Sequence, residues 1–160
     1  MMRRVQLSGG PGVATMGSRR RDVAVLIVED DPLQARLLCE CLKRTALGAD
    51  VAIVHDGDAA LMSLRGMRDA GERLPDLILL DFRLPGLDGA EVVQAIRAEP
   101  GLRHIPVLVV STSSEPADVV RAYSSGANCY IRKPSSFAGG LAMAEAIEEF
   151  WLRVATLPPG

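Results

Sequence analysis

Five short apolar runs, at residues 23–28, 51–54, 77–80, 105–110 and 129–131, alternate along the chain with longer segments of helical period. Few folds accept that alternation. A strand apolar on both faces must be covered on both faces, and strands separated by helices run parallel because each helix carries the chain back across the sheet. The pattern predicts an α/β domain with a doubly wound five-stranded parallel sheet. Leu33, Leu37, Leu38, Cys41 and Leu42 recur at intervals of three and four, which predicts one apolar face of a first helix that Gly48 helps to end. A second helix is expected over 59–67 with Asp56 as its cap, and a third over 90–96, stopped before Pro100. Val119, Val120 and Tyr123 mark a fourth, with Ser114 as cap, Pro116 in the first turn and closure near Gly126. Met143, Ile147, Phe150, Trp151 and Val154 mark the last, ending before Pro158. Its start is left open by Gly139 and Gly140, since a glycine inside a helix costs about 1 kcal/mol.

At 160 residues the chain has the size of one compact domain, and 48% hydrophobic with 24% charged residues is a folded, soluble composition. No apolar run approaches the roughly 20 residues that cross a bilayer. The formal charge of −2 hides an asymmetry. Arg3, Arg4, Arg19, Arg20 and Arg21 all precede the first apolar run, and removing residues 1–21 takes away those five charges and no acid, leaving −7. Residues 1–21 therefore read as a flexible arginine-rich leader, residues 22–157 as the domain, and the acidic domain argues against a nucleic-acid surface. Cys39, Cys41 and Cys129 form no CxxC pair and have no histidine at ligand spacing, so neither a disulfide framework nor zinc is indicated, and a reducing cytoplasm fits. Gly9, Gly10, Pro11 and Gly12 stand where a signal peptide needs an apolar core, and Met16 is an alternative start to Met1.

In doubly wound sheets, ligands sit outside the carboxyl ends of the strands. Glu29, Asp30 and Asp31 follow the first run, Asp81 the third, Ser111 the fourth, and Arg132 and Lys133 the fifth. Carboxylates gathered at one edge repel unless a cation compensates them, and all-oxygen ligation by few protein groups suits magnesium. Asp81 interrupts an apolar run where an unpaired acid is costly, so it is the candidate nucleophile toward phosphorus, with Ser111 and Lys133 as donors to the phosphoryl oxygens. Taken singly, each residue has a plainer role. Glu29, Asp30 and Asp31 serve equally well as acids at a helix N-terminus, a lone lysine is usually solvated, and a lone serine usually caps a turn. Convergence on predicted strand ends is what favours a site.

These residues fall in VLIVEDDP at 25–32, LLDFRLPGLDG at 79–89, IPVLVVSTS at 105–113 and GANCYIRKP at 126–134. The four ordered motifs resemble the receiver domains of two-component response regulators. The resemblance implies a flavodoxin-like sheet of order 2-1-3-4-5 and a switch phosphorylated by a histidine kinase. It implies Asp81 as phosphoacceptor, with magnesium (or manganese) held by Glu29, Asp30, Asp81 and the backbone carbonyl of Arg83. It also implies Ser111 and Lys133 as phosphate-binding residues, Tyr130 as the aromatic that rotates on activation, Asp31 as a supporting acid, and a cis peptide at Pro134. The Arg83 and Thr112 side chains would modulate water access to the phosphate. GANCYIRKP and the tail FWLRVATLP resemble single-domain regulators paired with phytochrome-type kinases, which implies no output domain and a homodimer through the fourth helix, fifth strand and fifth helix, with Phe150 and Trp151 as contacts. Of those two, one is expected to be ordinary core. The rivals are a constitutive interaction module, and a phosphohydrolase using Asp81 as nucleophile. Hydrolases of the haloacid-dehalogenase type carry a second acid two residues on, where this chain has Arg83.

Overall fold

The computed structural model describes residues 23–46 and 48–159. The predicted leader, and with it the choice of start, lies outside the described residues. Five parallel strands, β1 (Ala24–Val28), β2 (Asp50–Val54), β3 (Leu77–Asp81), β4 (Val107–Ser111) and β5 (Cys129–Arg132), form one sheet of order β2-β1-β3-β4-β5. The five runs and the strand order are those expected from the sequence. Helices α1 (Pro32–Lys43) and α5 (Phe137–Ile147) cover one face, and α2 (Gly57–Ala70), α3 (Gly89–Ala98) and α4 (Pro116–Ser124) the other. Alternate residues of each central strand feed the two layers. Val25, Ile27, Leu79, Leu108 and Val110 pack under α1 and α5, whereas Leu26, Val28, Ile78 and Leu80 pack under α2 and α3.

The helix starts follow local capping chemistry. Asp56 caps α2 by accepting from the Ala59 amide at 2.6 Å. At α3, Asp88 accepts from the Glu91 amide and Glu91 returns a bond to the Asp88 amide, a complete capping box. Gly89 must be glycine for a steric reason, because a Cβ there would lie 2.7 Å from the Phe82 Cα and 2.9 Å from the Asp81 carbonyl oxygen. α3 is thereby seated directly against the end of β3.

Three expectations need correction, and the start of the last helix, open in the sequence, is settled. The buried stripe of α1 is Ala35, Cys39, Cys41 and Leu42, while Leu33 and Leu37 are exposed. The buried face includes two small residues, Ala35 and Cys39, so side-chain size does not mark it. Ser114 does not cap α4; the cap position is Glu115, without a side-chain bond, and Pro116 opens the helix. α5 starts at Phe137 with Ser136 as cap, so both glycines lie inside it, and Gly140 brings α5 close enough to α1 that a Cβ would meet the Cys41 sulfur at 3.1 Å. Finally, the peptide before Pro134 is trans, as no cis peptide occurs among the described residues. An X-Pro bond favours trans by about 0.5–1 kcal/mol, and here the proline ring already packs over Gly139 in the first turn of α5.

At the end of the sheet remote from the acidic motifs, Arg97 of α3 binds four acceptors. They are the carbonyls of Gly126, Arg103 and Ile105 at 2.9–3.0 Å and Asn128 Oδ1 at 2.7 Å. Asn128 Oδ1 also accepts from the Val107 amide at 2.9 Å, so one guanidinium ties the starts of β4 and β5 together. Arg97→Ala strands several of these carbonyls and is expected to lower unfolding free energy by about 2–3 kcal/mol, read from urea denaturation midpoints.

Candidate functional site

The carboxyl ends of the central strands meet because their register is aligned: Val28 pairs with Leu80, Asp81 with Val110 and Ser111 with Arg132. The next residues of β1 and β5, Glu29 and Lys133, therefore converge with Asp81. One carboxylate oxygen each from Glu29, Asp30 and Asp81 lies within 4.8 Å of the others. Glu29 is 3% exposed and Asp81 8%, whereas Asp30 is open to solvent. Lys133 Nζ stands 2.5 Å from Glu29 Oε2, 2.8 Å from Gln34 Oε1 and 3.5 Å from Asp81 Oδ2.

Three carboxylates against one ammonium leave an excess of two negative charges when all are ionised. Burial raises the Glu29 carboxyl above the ordinary range and the Asp81 charge adds to the rise, while the bond from Lys133 opposes it. An all-oxygen donor set with unbalanced negative charge, open on the Asp30 side, fits a hard divalent cation that keeps some of its water. The backbone fixes the donors: the Glu29 amide donates to the Val54 carbonyl at 3.0 Å, and His55 Nδ1 lies 2.9 Å from the Glu29 carbonyl.

Asp31 stands outside the cluster. It is the N-cap of α1, accepting from the amides of Leu33 (2.8 Å) and Gln34 (3.2 Å), bonds that hold its carboxyl below the ordinary range. The helix-capping role thus belongs to one acid of the trio, and the other two face Asp81. Arg83 donates its backbone amide to Asp81 Oδ1 at 3.2 Å, while its guanidinium binds Asp118 of α4 at 2.8 Å. Asp118 also accepts the Ser113 hydroxyl at 2.5 Å, and these two donors keep its carboxyl low. Ser111 is fully buried, and its Oγ accepts from the Ser113 amide at 3.2 Å. The Tyr130 hydroxyl donates to the Ser113 carbonyl at 2.9 Å, with its ring edge-on to Phe82 at 6.2 Å between centroids. Ser113 therefore joins the end of β4 to both α4 and β5. Thr112 lines a groove between α1 and α5 together with Glu29, Lys133, Gln34, Cys41 and Met143. Trp151 packs on the α1/α5 side of the core, and Phe150 is 56% exposed. Sequence reasoning missed Gln34, Ser113 and Asp118. For Gln34 a signal existed, because Asp31-Pro32-Leu33-Gln34 has capping-box spacing.

Residues 25–145 match the family model described as the response regulator receiver domain. The response regulator Rcp1 of Synechocystis sp. is 40% identical over 136 residues, covering 84% of this chain and 92% of that protein. The crystal structure of the phosphorylated cyanobacterial phytochrome response regulator RcpA superposes with a TM-score of 0.80 at 39% identity, covering 87% of this chain and 100% of that one. The Mn(2+)-bound form of response regulator Rcp1 superposes with a TM-score of 0.75 at 37% identity, covering 86% and 99% respectively.

The Glu29–Lys133 pair is buried, so removing one partner leaves an uncompensated charge. Lys133→Met is expected to cost about 3 kcal/mol of unfolding free energy in metal-free buffer at neutral pH, and the Glu29→Gln/Lys133→Met pair less than that, both by urea denaturation. The single-variant loss should shrink as pH falls. An acid whose folded pKa is raised takes up its proton more readily when folded, so it stabilises below its ordinary value and loses that contribution as pH rises through the raised one.

Proposed function

The chain belongs to the response regulator receiver family, and on that footing we propose that it is a phosphorylation switch whose Asp81 accepts a phosphoryl group from a sensor histidine kinase. The observation that carries this reading is the position of the Asp81 carboxylate at the end of β3, grouped with Glu29 and Asp30 and 3.5 Å from the Lys133 ammonium. An Asp81 oxygen attacks phosphorus, the bond from phosphorus to the donor imidazole breaks, and the donor nitrogen keeps the electron pair and takes up a proton. Glu29, Asp30 and Asp81, with the Arg83 carbonyl, would hold a magnesium or manganese ion. The bound ion supplies charge neutralisation for an incoming phosphate at a carboxylate-rich edge. Lys133 donates to a phosphoryl oxygen and Ser111 supplies a hydroxyl to another. Pulling Ser111 draws on Ser113, whose amide, carbonyl and hydroxyl are bonded to Ser111, Tyr130 and Asp118. A new charge at Asp81 is thereby felt at the face made by α4, β5 and α5.

The chain acts as a phosphoacceptor and not as a turnover enzyme. Arg83, two residues after Asp81, has its guanidinium bound to Asp118, and no acid stands there to protonate a leaving group. The kinase is of the phytochrome type, a reading supported by the likeness to Rcp1 and RcpA. No helix among the described residues is long and apolar enough to cross a membrane, and the proposed setting is the cytoplasm, with the signal passed on by contact and without binding nucleic acid.

With magnesium and a small phosphodonor, wild type should gain one phosphoryl group per chain by intact mass, and Asp81→Asn none. Undiminished labelling of the variant, or many turnovers of donor per chain, would reject the assignment. A homodimer is proposed through the exposed C-terminal surface, where Glu148–Val154 continues α5 as a π-helix and presents Phe150 and Val154. Phe150→Glu is expected to weaken self-association at least tenfold in analytical ultracentrifugation, with the far-UV circular dichroism spectrum unchanged, because Phe150 is 56% exposed and touches Trp151 edge-on.

A further inference from the structure

The N-termini of α1 and α3 carry the same capping-box spacing, Asp31…Gln34 and Asp88…Glu91, but only one is closed. At α3 the third helical residue reaches back to the amide of its own cap, Glu91 Oε2 accepting from the Asp88 amide at 2.9 Å. At α1 the corresponding Asp31 amide donates to Glu29 Oε1 at 3.2 Å instead, and Gln34 is left with its side chain to spend elsewhere. Gln34 Nε2 donates to Asp31 Oδ2 at 3.3 Å, which fixes the orientation of the amide and turns its oxygen outward. That oxygen accepts from Lys133 Nζ at 2.8 Å, a bond that crosses from α1 to the end of β5.

We propose that Gln34 is a positioning residue that holds the Lys133 ammonium away from the phosphorylation site until a phosphoryl group arrives. This role rests on the reading of Asp81 as phosphoacceptor. In the structure Lys133 has two close partners, Glu29 and Gln34, and Asp81 is the distant third at 3.5 Å. An ammonium has three donors, and a phosphoryl group on Asp81 offers charged acceptors that outcompete a neutral amide. Glu29 is 3% exposed and is a charged acceptor, so it holds the ammonium more strongly than the neutral Gln34 amide does and is not the first partner released. Gln34 lies at the rim of the α1/α5 groove, is exposed, and loses little when it is let go. The contact therefore exists mainly in the resting state, and a contact confined to one state shifts the balance between the two.

The sign of the effect distinguishes holding from support. Labelling rates are measured with acetyl phosphate at saturating magnesium on wild type, Gln34→Ala and Gln34→Glu. Gln34→Ala removes the competing acceptor and should speed labelling by about threefold to tenfold, the range of one modest hydrogen bond. Gln34→Glu offers Lys133 a charged acceptor in the same place and should slow labelling by a similar factor, although an acid in the first turn of α1 favours the helix itself. Opposite signs for the two variants support the proposal. Equal rates in all three, or slowing in Gln34→Ala, overturn it while leaving the phosphoacceptor reading intact. A wild type that takes no label overturns that reading and the role of Gln34 with it.

Discussion

The ammonium of Lys133 is the constraint on which the site depends. Two carboxylates that are nearly out of contact with water, Glu29 from β1 and Asp81 from β3, face each other across a parallel sheet edge, and the cation that lies between them comes from β5. Removing a charge from water costs several kcal/mol even after relaxation, so a sheet that gathers acids in this way must also deliver a counter-charge. Parallel topology does so without special geometry: the strands end at the same edge, which brings Glu29, Asp81 and Lys133 together from three of them. Chain segments about a hundred residues apart are brought to within a hydrogen bond.

Balance at this edge is incomplete by design of the sequence. One lysine does not neutralise three acids, and the remaining charge is what makes the edge selective for a divalent cation and receptive to phosphate only in its company. The same incompleteness gives a switch. On the proposed reading a phosphoryl group at Asp81 would draw on Lys133 and Ser111 together, and each is already bonded elsewhere: Lys133 to Glu29 and Gln34, and Ser111 through Ser113 to Tyr130 and Asp118. Arg83, bound to Asp118, gives the loop after β3 its own hold on α4. Signal transfer in this account is a redistribution of hydrogen bonds among groups that are already in contact.

Much of this was legible in the sequence, for definite reasons. Strands that are apolar on both faces leave a strong one-dimensional signal, and the polar residue that ends each run marks the edge, so Glu29, Asp30, Asp81, Ser111 and Lys133 could be grouped before any coordinates. Residues whose partners lie across the fold were not legible. Ser113 and Asp118 look like ordinary loop and helix-start residues, and only the seating of α4 brings them together with Arg83. The stripe of α1 was misplaced because two buried residues, Ala35 and Cys39, are small, while Leu33 and Leu37 are large and lie outside it. The bond before Pro134, cis by the family resemblance, is trans, and the two forms differ by only about 1 kcal/mol, too little for local sequence to decide.

The central claim is that one carboxylate, and no other group at this edge, becomes covalently attached to phosphorus. Phosphorylated protein can be reduced with borohydride, which converts an aspartyl phosphate into homoserine, and then mapped by peptide mass spectrometry. The account requires homoserine at position 81 in a magnesium-dependent yield approaching one per chain. Homoserine at position 30 or 31 in its place, or phosphate retained after reduction on Ser111, Thr112 or Ser113, would contradict it.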